Sequence, residues 1–128
     1  MPITQDWLAQ VREDVIEPAL PICDPHHHLW DHPGSRYLLD ELLADTHAAD
    51  AQGQRHNVRS TVFVECASMY RADGPEHLRC VGETEFVNGV AAMSASGRYG
   101  DIRACAAIVS LADLCLAAAV REVLEAHI

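Results

Sequence analysis

Three short apolar runs recur along this chain at intervals of about 40 residues, each followed by a segment with helical periodicity. The runs occupy residues 22–26, 60–66 and 104–110. Nearly continuous apolar runs of this length are typical of strands buried on both faces of a parallel sheet. Strands that alternate with helices are joined by right-handed crossovers. The pattern therefore predicts an α/β fold with three parallel strands adjacent in chain order and the following helices on one face.

The helical segments predicted after these strands cover residues 37–49, 75–96 and 111–128. A further helix is predicted at the N-terminus, where Thr4 can cap a segment that Pro18 and Pro21 end. Its apolar positions have helical spacing: Trp7, Leu8, Val11, Val15 and Ile16. Residues 32–35 are typical of a turn. Three βα units cannot close a barrel, which needs eight strands and ~250 residues. An open sheet in one domain over residues 1–128 is expected.

Composition narrows the classes of partner. The chain has 128 residues, 49% of them hydrophobic, and a net charge of −10. So acidic a surface would repel nucleic acids and anionic membranes, and no apolar run approaches the ~20 residues that span a bilayer. The five cysteines are odd in number and scattered without a C-x-x-C pair, which favours reduced thiols and a cytoplasmic location.

The most informative motif is the segment Asp24-Pro25-His26-His27-His28-Leu29-Trp30-Asp31 at the end of the first strand. Alternation along a strand places His26 and His28 on one face, with Asp24 on that face one step earlier and His27 packed on the other. Imidazole is the commonest protein ligand for zinc, so the pair predicts half of a metal site. The alternative is that one histidine bonds to backbone and the other is solvated. Asp24 could orient a histidine or serve in ordinary turn chemistry.

Glu65 ends the second apolar run, on the face of Thr61 and Phe63. A charge in that position is costly unless it is paired or bound, which predicts a catalytic role facing into the site. The alternative is an ion pair with Arg59 or Arg71.

Tyr70 and Arg71 lie on the loop that follows the second strand, where substrate groups would lie in a barrel. Arg71 could bind a substrate carboxylate in bidentate fashion or be a solvated loop residue. Glu83 and Glu85 are predicted to lie on a solvated helix face. The remaining histidines have no ligand spacing and are predicted to be surface residues: His32, His47, His56, His77 and His127.

Three segments in this order resemble the amidohydrolase-related branch of the amidohydrolase superfamily. Residues 22–31 are similar to its first strand, residues 62–66 with Met69 and Tyr70 to its second strand and loop, and residues 82–89 to its second helix. The resemblance covers essentially this whole chain but only the N-terminal part of a typical member. It implies a TIM barrel with its active site at the C-terminal ends of the strands.

The resemblance also implies a small-molecule substrate and a chemistry. His26 and His28 would hold a divalent metal, most simply zinc, whose bound water attacks a lactone, ester or amide carbonyl. The other ligands and the general base would lie beyond Ile128, so the chain is expected to be an N-terminal fragment with little turnover alone. Leu111 stands where similar proteins place a histidine. Two alternatives stay open: a lactonase that uses no metal, and an inactive partial barrel that self-associates through its open sheet.

Overall fold

The computed structural model describes residues 4–11 and 13–128, and its centre is a parallel sheet. Three strands pair in the order β1-β4-β5, and both pairings are parallel, which confirms the predicted α/β arrangement. A separate two-stranded antiparallel hairpin, β2–β3, follows β1. The strands are β1 (Pro21–His27), β2 (Trp30–His32), β3 (Ser35–Tyr37), β4 (Asn57–Val64) and β5 (Arg103–Val109); the helices are α1 (Gln5–Leu8), α2 (Leu39–Thr46), α3 (Val81–Ala95) and α4 (Val120–Ala126).

Helices α2 and α3 cover one face of the sheet, as predicted for these two of the three helices. Phe63 of β4 is almost completely buried against them, and its neighbours Val62 and Val64 point the other way and are half-buried. The opposite face therefore carries aliphatic side chains that none of the described helices covers, and Val109 is 50% exposed. The core on the helix side is one cluster: Leu29, Leu39, Leu42, Phe63, Val87, Val90, Ala104 and Cys105.

The predicted N-terminal helix is mostly wrong. Only Gln5–Leu8 is helical, and residues 13–20 follow an irregular path in which Val15 is buried and donates its N–H to an Asp50 carboxylate oxygen at 3.0 Å. Val11 and Ile16 of the predicted apolar face are exposed. A helix this short is marginal unless its apolar face packs against a partner, and Trp7, Val11 and Ile16 are exposed.

The other helices are shorter than predicted. The segment before α3 is a 3₁₀ turn, Glu76–Leu78, and α3 begins at Val81. The last segment is broken: Leu114–Ala119 forms 3₁₀ turns around Ala117, whose φ of 50° is left-handed, before α4 begins. No helix in the described ranges is long and apolar enough to cross a membrane.

A β-bulge in β1 changes which side chains share a face. Asp24 is paired with Thr61 and His27 with Phe63, so β1 has one residue more than β4 over this interval. Pro25, which has no N–H for the ladder, lies within the bulge. Asp24 consequently lies with His27 on the helix side, where both line a cavity of about 220 Å³. The prediction that Asp24 shares a face with His26 is therefore wrong.

Candidate functional site

His26 and His28 meet on the face of the sheet that the helices leave open. Their Nε2 atoms lie 3.2 Å apart, with the two rings edge to face. The Nδ1 atom of His28 lies 2.8 Å from the carbonyl oxygen of Val64. Because a carbonyl can only accept, Nδ1 of His28 carries the proton and its Nε2 presents a lone pair. The predicted pairing of the two histidines is confirmed.

This geometry suits a shared metal ion. Zinc–nitrogen bonds of 2.0–2.1 Å at a tetrahedral angle separate two ligand nitrogens by ~3.3 Å. The observed separation of 3.2 Å between the Nε2 atoms matches that value. A histidine whose other nitrogen donates to a backbone carbonyl is also the usual orientation of a metal ligand.

The described residues contain no group of three His, Cys, Asp or Glu side chains that could hold a metal ion. Glu65 therefore does not complete a site with the two histidines. Its backbone N–H extends the sheet by donating to Val109 at 2.9 Å. Since Thr61 and Phe63 face the helices, strand alternation assigns Glu65 to that side rather than to the histidine side.

The alternative role of Glu65, an ion pair with Arg59 or Arg71, is not observed in the described residues, because both arginines have other partners. Arg59 contacts Asp101 at 2.6 Å. Arg71 forms a two-pronged pair with Glu85, in which Nε donates to one carboxylate oxygen at 3.0 Å and Nη2 donates to the other. The pair with Arg71 lowers the pKa of Glu85. A substrate carboxylate would have to displace Glu85 to reach Arg71 as predicted.

Glu83 organises the loop after β4 from inside the protein. It is only 2% exposed, and one carboxylate oxygen accepts from the N–H of Ser68 at 2.8 Å and of Cys66 at 3.1 Å. The prediction of a solvated Glu83 is therefore wrong. The helical spacing in the sequence does predict a buried Glu83, because Glu83 lies four residues before Val87 and seven before Val90, on the buried stripe of α3.

The same loop has a strained backbone. Ala67 and Met69 have φ values of 60° and 54°, in the left-handed region that side chains disfavour. Gly82 of α3 packs so closely beneath the loop that a Cβ there would lie 2.6 Å from the backbone nitrogen of Arg71. Strain of this kind costs ~1–3 kcal/mol per residue and clusters at functional sites.

Tyr70 lies on this strained loop with its hydroxyl buried. The hydroxyl has no hydrogen-bond partner in the described part of the chain. Burial, together with the nearby charge of Glu83 and of Glu65, raises the pKa of Tyr70 to about 12. The phenol therefore stays protonated and can donate one hydrogen bond. Tyr70 also lines a cavity of about 410 Å³ that His77, Cys80 and Leu111 share.

His27, between the two candidate ligands, is buried on the helix side, as predicted. The Thr61 hydroxyl accepts from the N–H of Cys105 at 3.0 Å and lies 2.8 Å from Nε2 of His27. Loss of hydration lowers the pKa of His27, so the ring is neutral. Its role is to pack the sheet.

Two of the histidines predicted to be surface residues instead hold the C-terminal helix. Nδ1 of His127 lies 2.9 Å from the Thr84 hydroxyl, and its Nε2 lies 2.9 Å from the carbonyl oxygen of Leu111. His77 contacts Glu122 of α4 at 2.9 Å. His32, His47 and His56 are exposed, as predicted.

Comparison of the chain with models of protein families, with characterised proteins and with solved structures finds no significant match. The resemblance to the amidohydrolase-related branch thus stays a prediction from the sequence motifs.

Proposed function

We propose that this chain contributes part of the active site of an amidohydrolase-related hydrolase that acts on a lactone, ester or amide carbonyl. The observation that carries the proposal is the 3.2 Å approach of the His26 and His28 Nε2 atoms at the C-terminal end of β1. Ligands bind at the C-terminal ends of parallel strands in open α/β sheets and in TIM barrels alike. In this proposal the three-stranded sheet corresponds to the first three βα units of a barrel.

The two imidazoles would hold a divalent metal, with zinc as the first choice. Bound zinc lowers the pKa of its water to ~7 and polarises a carbonyl. The chain's own contribution is to fix the ligands. Val64 holds His28 in the tautomer that leaves Nε2 free, at a hydrogen-bond distance of 2.8 Å. His26 adds the second nitrogen, and further ligands would come from outside the described residues.

Tyr70 and Glu65 are the remaining candidates on the loop beyond β4. The protonated hydroxyl of Tyr70 could donate to the substrate oxygen that gains charge during attack. Glu65 stays the candidate for handling a proton or contacting the substrate on this loop, although strand alternation assigns its side chain to the helix side. The strained backbone at Ala67 and Met69, between these two residues, is consistent with a functional loop.

A metal-free lactonase is the second candidate. Its support is the absence of a third metal-ligating side chain beside His26 and His28 in the described ranges. In that case the two imidazoles would bind the substrate directly, and His28 Nε2 would accept a hydrogen bond from a substrate hydroxyl.

The test is hydrolysis by the purified chain in three metal conditions. After dialysis we expect no stoichiometric zinc and no turnover of simple sugar lactones, because two imidazoles hold zinc weakly. In a large excess of zinc chloride we expect hydrolysis of an activated ester such as p-nitrophenyl acetate above that of zinc chloride alone. His26→Ala should abolish this rate, and His32→Ala, an exposed histidine outside the pair, should keep it.

Two results would redirect the assignment. Lactone hydrolysis in EDTA that is lost in His26→Ala would favour the metal-free candidate. An ester rate in excess zinc that is the same in His26→Ala would remove the histidine pair from the proposed function.

A further inference from the structure

The surface beside the histidine pair is open and carries aliphatic side chains. On the face of the sheet away from the helices, Val62 is paired in register with Ala107 and Val64 with Val109. Ala107 and Val109 are exposed, and the two valines of β4 are half-buried. An aliphatic patch therefore lies directly beside the two imidazoles. We call these four residues and the histidine pair the open-face patch.

The histidine pair is an incomplete set of ligands. Closed zinc sites in proteins have four ligands in tetrahedral arrangement. The pair offers two nitrogens at the separation such a site requires, and the described residues add no third ligand. His26 is exposed, so a group from another molecule can reach the remaining two positions.

We propose that a second copy of this chain supplies those two positions, so that one zinc ion bridges His26 and His28 of two chains. A two-fold axis through the ion places the same pair on both sides, which is the self-complementary contact of most homodimers. Four Nε2 atoms then complete a tetrahedral N4 site. The same two-fold axis brings the two aliphatic patches together and removes them from water.

The net charge of the chain indicates that two copies need the metal ion in order to associate. Each chain carries a net charge of −10, so two copies repel each other. The open-face patch itself has no charged side chain, and the zinc ion adds positive charge at its centre. Screening by salt weakens the long-range repulsion, so added sodium chloride should strengthen the zinc-bridged dimer.

This inference goes beyond the proposed hydrolase, because four imidazoles leave no position for a water molecule. The bridged form is therefore not hydrolytic. Excess zinc should separate the two copies, since each pair then binds an ion of its own. The two proposals have different readouts: molecular mass and metal stoichiometry for the bridge, and ester hydrolysis in excess zinc for the active site.

The experiment is a titration of the metal-free 128-residue chain with cobalt chloride, followed by light scattering on a sizing column with zinc chloride. Cobalt reports tetrahedral nitrogen coordination by its visible absorption. We expect that absorption to reach its maximum at about 0.5 cobalt per chain, as one ion for two copies requires, before excess cobalt separates the copies. With 0.5 zinc per chain the mass should rise from 14.0 kDa to twice that value and fall again in EDTA.

Variants separate the metal bridge from other association. His26→Ala and His28→Ala should stay at the monomer mass and lose the cobalt absorption, with an unchanged circular dichroism spectrum as the check of folding. His32→Ala should behave as wild type. Val109→Lys, which leaves both ligands in place, should weaken the dimer without changing the fold.

Three outcomes would overturn the inference. These are saturation at 1.0 cobalt per chain without a change of mass, a dimer that forms equally in EDTA, and the absence of cobalt binding at micromolar concentrations.

Discussion

His28 and Val64 connect the candidate ligands to the neighbouring strand, because Nδ1 of His28 donates to the Val64 carbonyl across 2.8 Å. Val64 is the last residue of β4 and has Val109 of β5 beside it. The orientation of one imidazole is thus set by the end of the central strand. Among the described residues, His26 has no such support, and its Nε2 contacts only the imidazole of His28. The two histidines should therefore contribute unequally to metal affinity, with the larger share from His28, because its ring is held in place before a metal binds.

The contact between α3 and the loop after β4 predicts that alanine substitutions at two glycines of this helix, Gly82 and Gly89, change the stability of the protein in opposite directions. In Gly82→Ala the new Cβ would meet the backbone of Met69 and Arg71 at 2.6–2.7 Å, so the loop or the helix must move. Overpacking of this kind costs ~1–3 kcal/mol. In Gly89→Ala, where nothing lies within 4 Å, the better helix former should stabilise by up to ~1 kcal/mol. Urea unfolding of both variants measures the difference, and equal stabilities would contradict the close packing.

The buried carboxylate of Glu83 predicts that its removal destabilises the protein more than removal of the exposed carboxylate of Glu85. Glu83→Ala removes the acceptor of the Cys66 and Ser68 N–H groups and should destabilise by ~1–3 kcal/mol for each donor left without a partner. Glu83→Gln, which keeps one oxygen, should be milder. The control is Glu85→Ala, which breaks only the exposed pair with Arg71 and should cost under ~1 kcal/mol. A Glu83→Ala variant as stable as wild type in thermal unfolding would contradict the assigned role.

Thiol reactivity tests the burial of the sheet. Cys23 and Cys115 are exposed and should react quickly with Ellman's reagent at pH 8. Cys105 lies in the core, where burial raises the pKa of its thiol to about 12, so it should react only on unfolding. Because the unfolded thiol ionises near pH 9 and the folded one does not, the Cys105 thiol contributes stability that is present below pH 9 and lost as the pH rises towards 12.

The Cys105→Ala variant should therefore lose less stability than wild type between pH 9 and pH 11, measured by urea unfolding. Five thiols that react at the same fast rate in the folded chain would contradict the buried position of Cys105.

The sheet was predictable because its signal is local. The runs at residues 60–66 and 104–110 are rich in β-branched and small apolar residues, so strand propensity predicts both strands. The expected burial on both faces is wrong, because Ala107 and Val109 of β5 are exposed on the face without helices. The β2–β3 hairpin was not predictable in the same way, since strands of three residues are too short to show a period. Only its turn was evident, and Gly34 adopts the left-handed φ of 78° that this turn uses.

The errors come from tertiary partners that a pattern does not contain. The N-terminal periodicity at Val11 and Ile16 was real, but no element packs against it in the described structure. The face of Asp24 was misassigned because one extra residue at Pro25 shifts every side chain that follows. The prediction that Glu83 is solvated is wrong because a charged residue is expected at the surface, whereas Glu83 lies on the buried stripe of α3.

The prediction for His26 and His28 held although His26 lies inside the bulged interval and His28 follows the last residue of β1, because the two Nε2 atoms still lie 3.2 Å apart. Glu65 does not lie beside the two histidines, because it continues the alternation of β4. Thr61 and Phe63 face the helices, and Glu65 is on the same side of the strand as they are.

The most direct test of the central claim is a titration of the ¹⁵N-labelled chain with zinc chloride, observed through the ring nitrogens of its eight histidines by long-range ¹H–¹⁵N NMR. Before zinc is added, His28 should show a protonated Nδ1 and a free Nε2. On addition of zinc, the Nε2 signals of His26 and His28 should move together, ahead of those of the other six. Zinc shifts that appear first at another histidine, or a His28 ring protonated at Nε2, would contradict the proposed metal site.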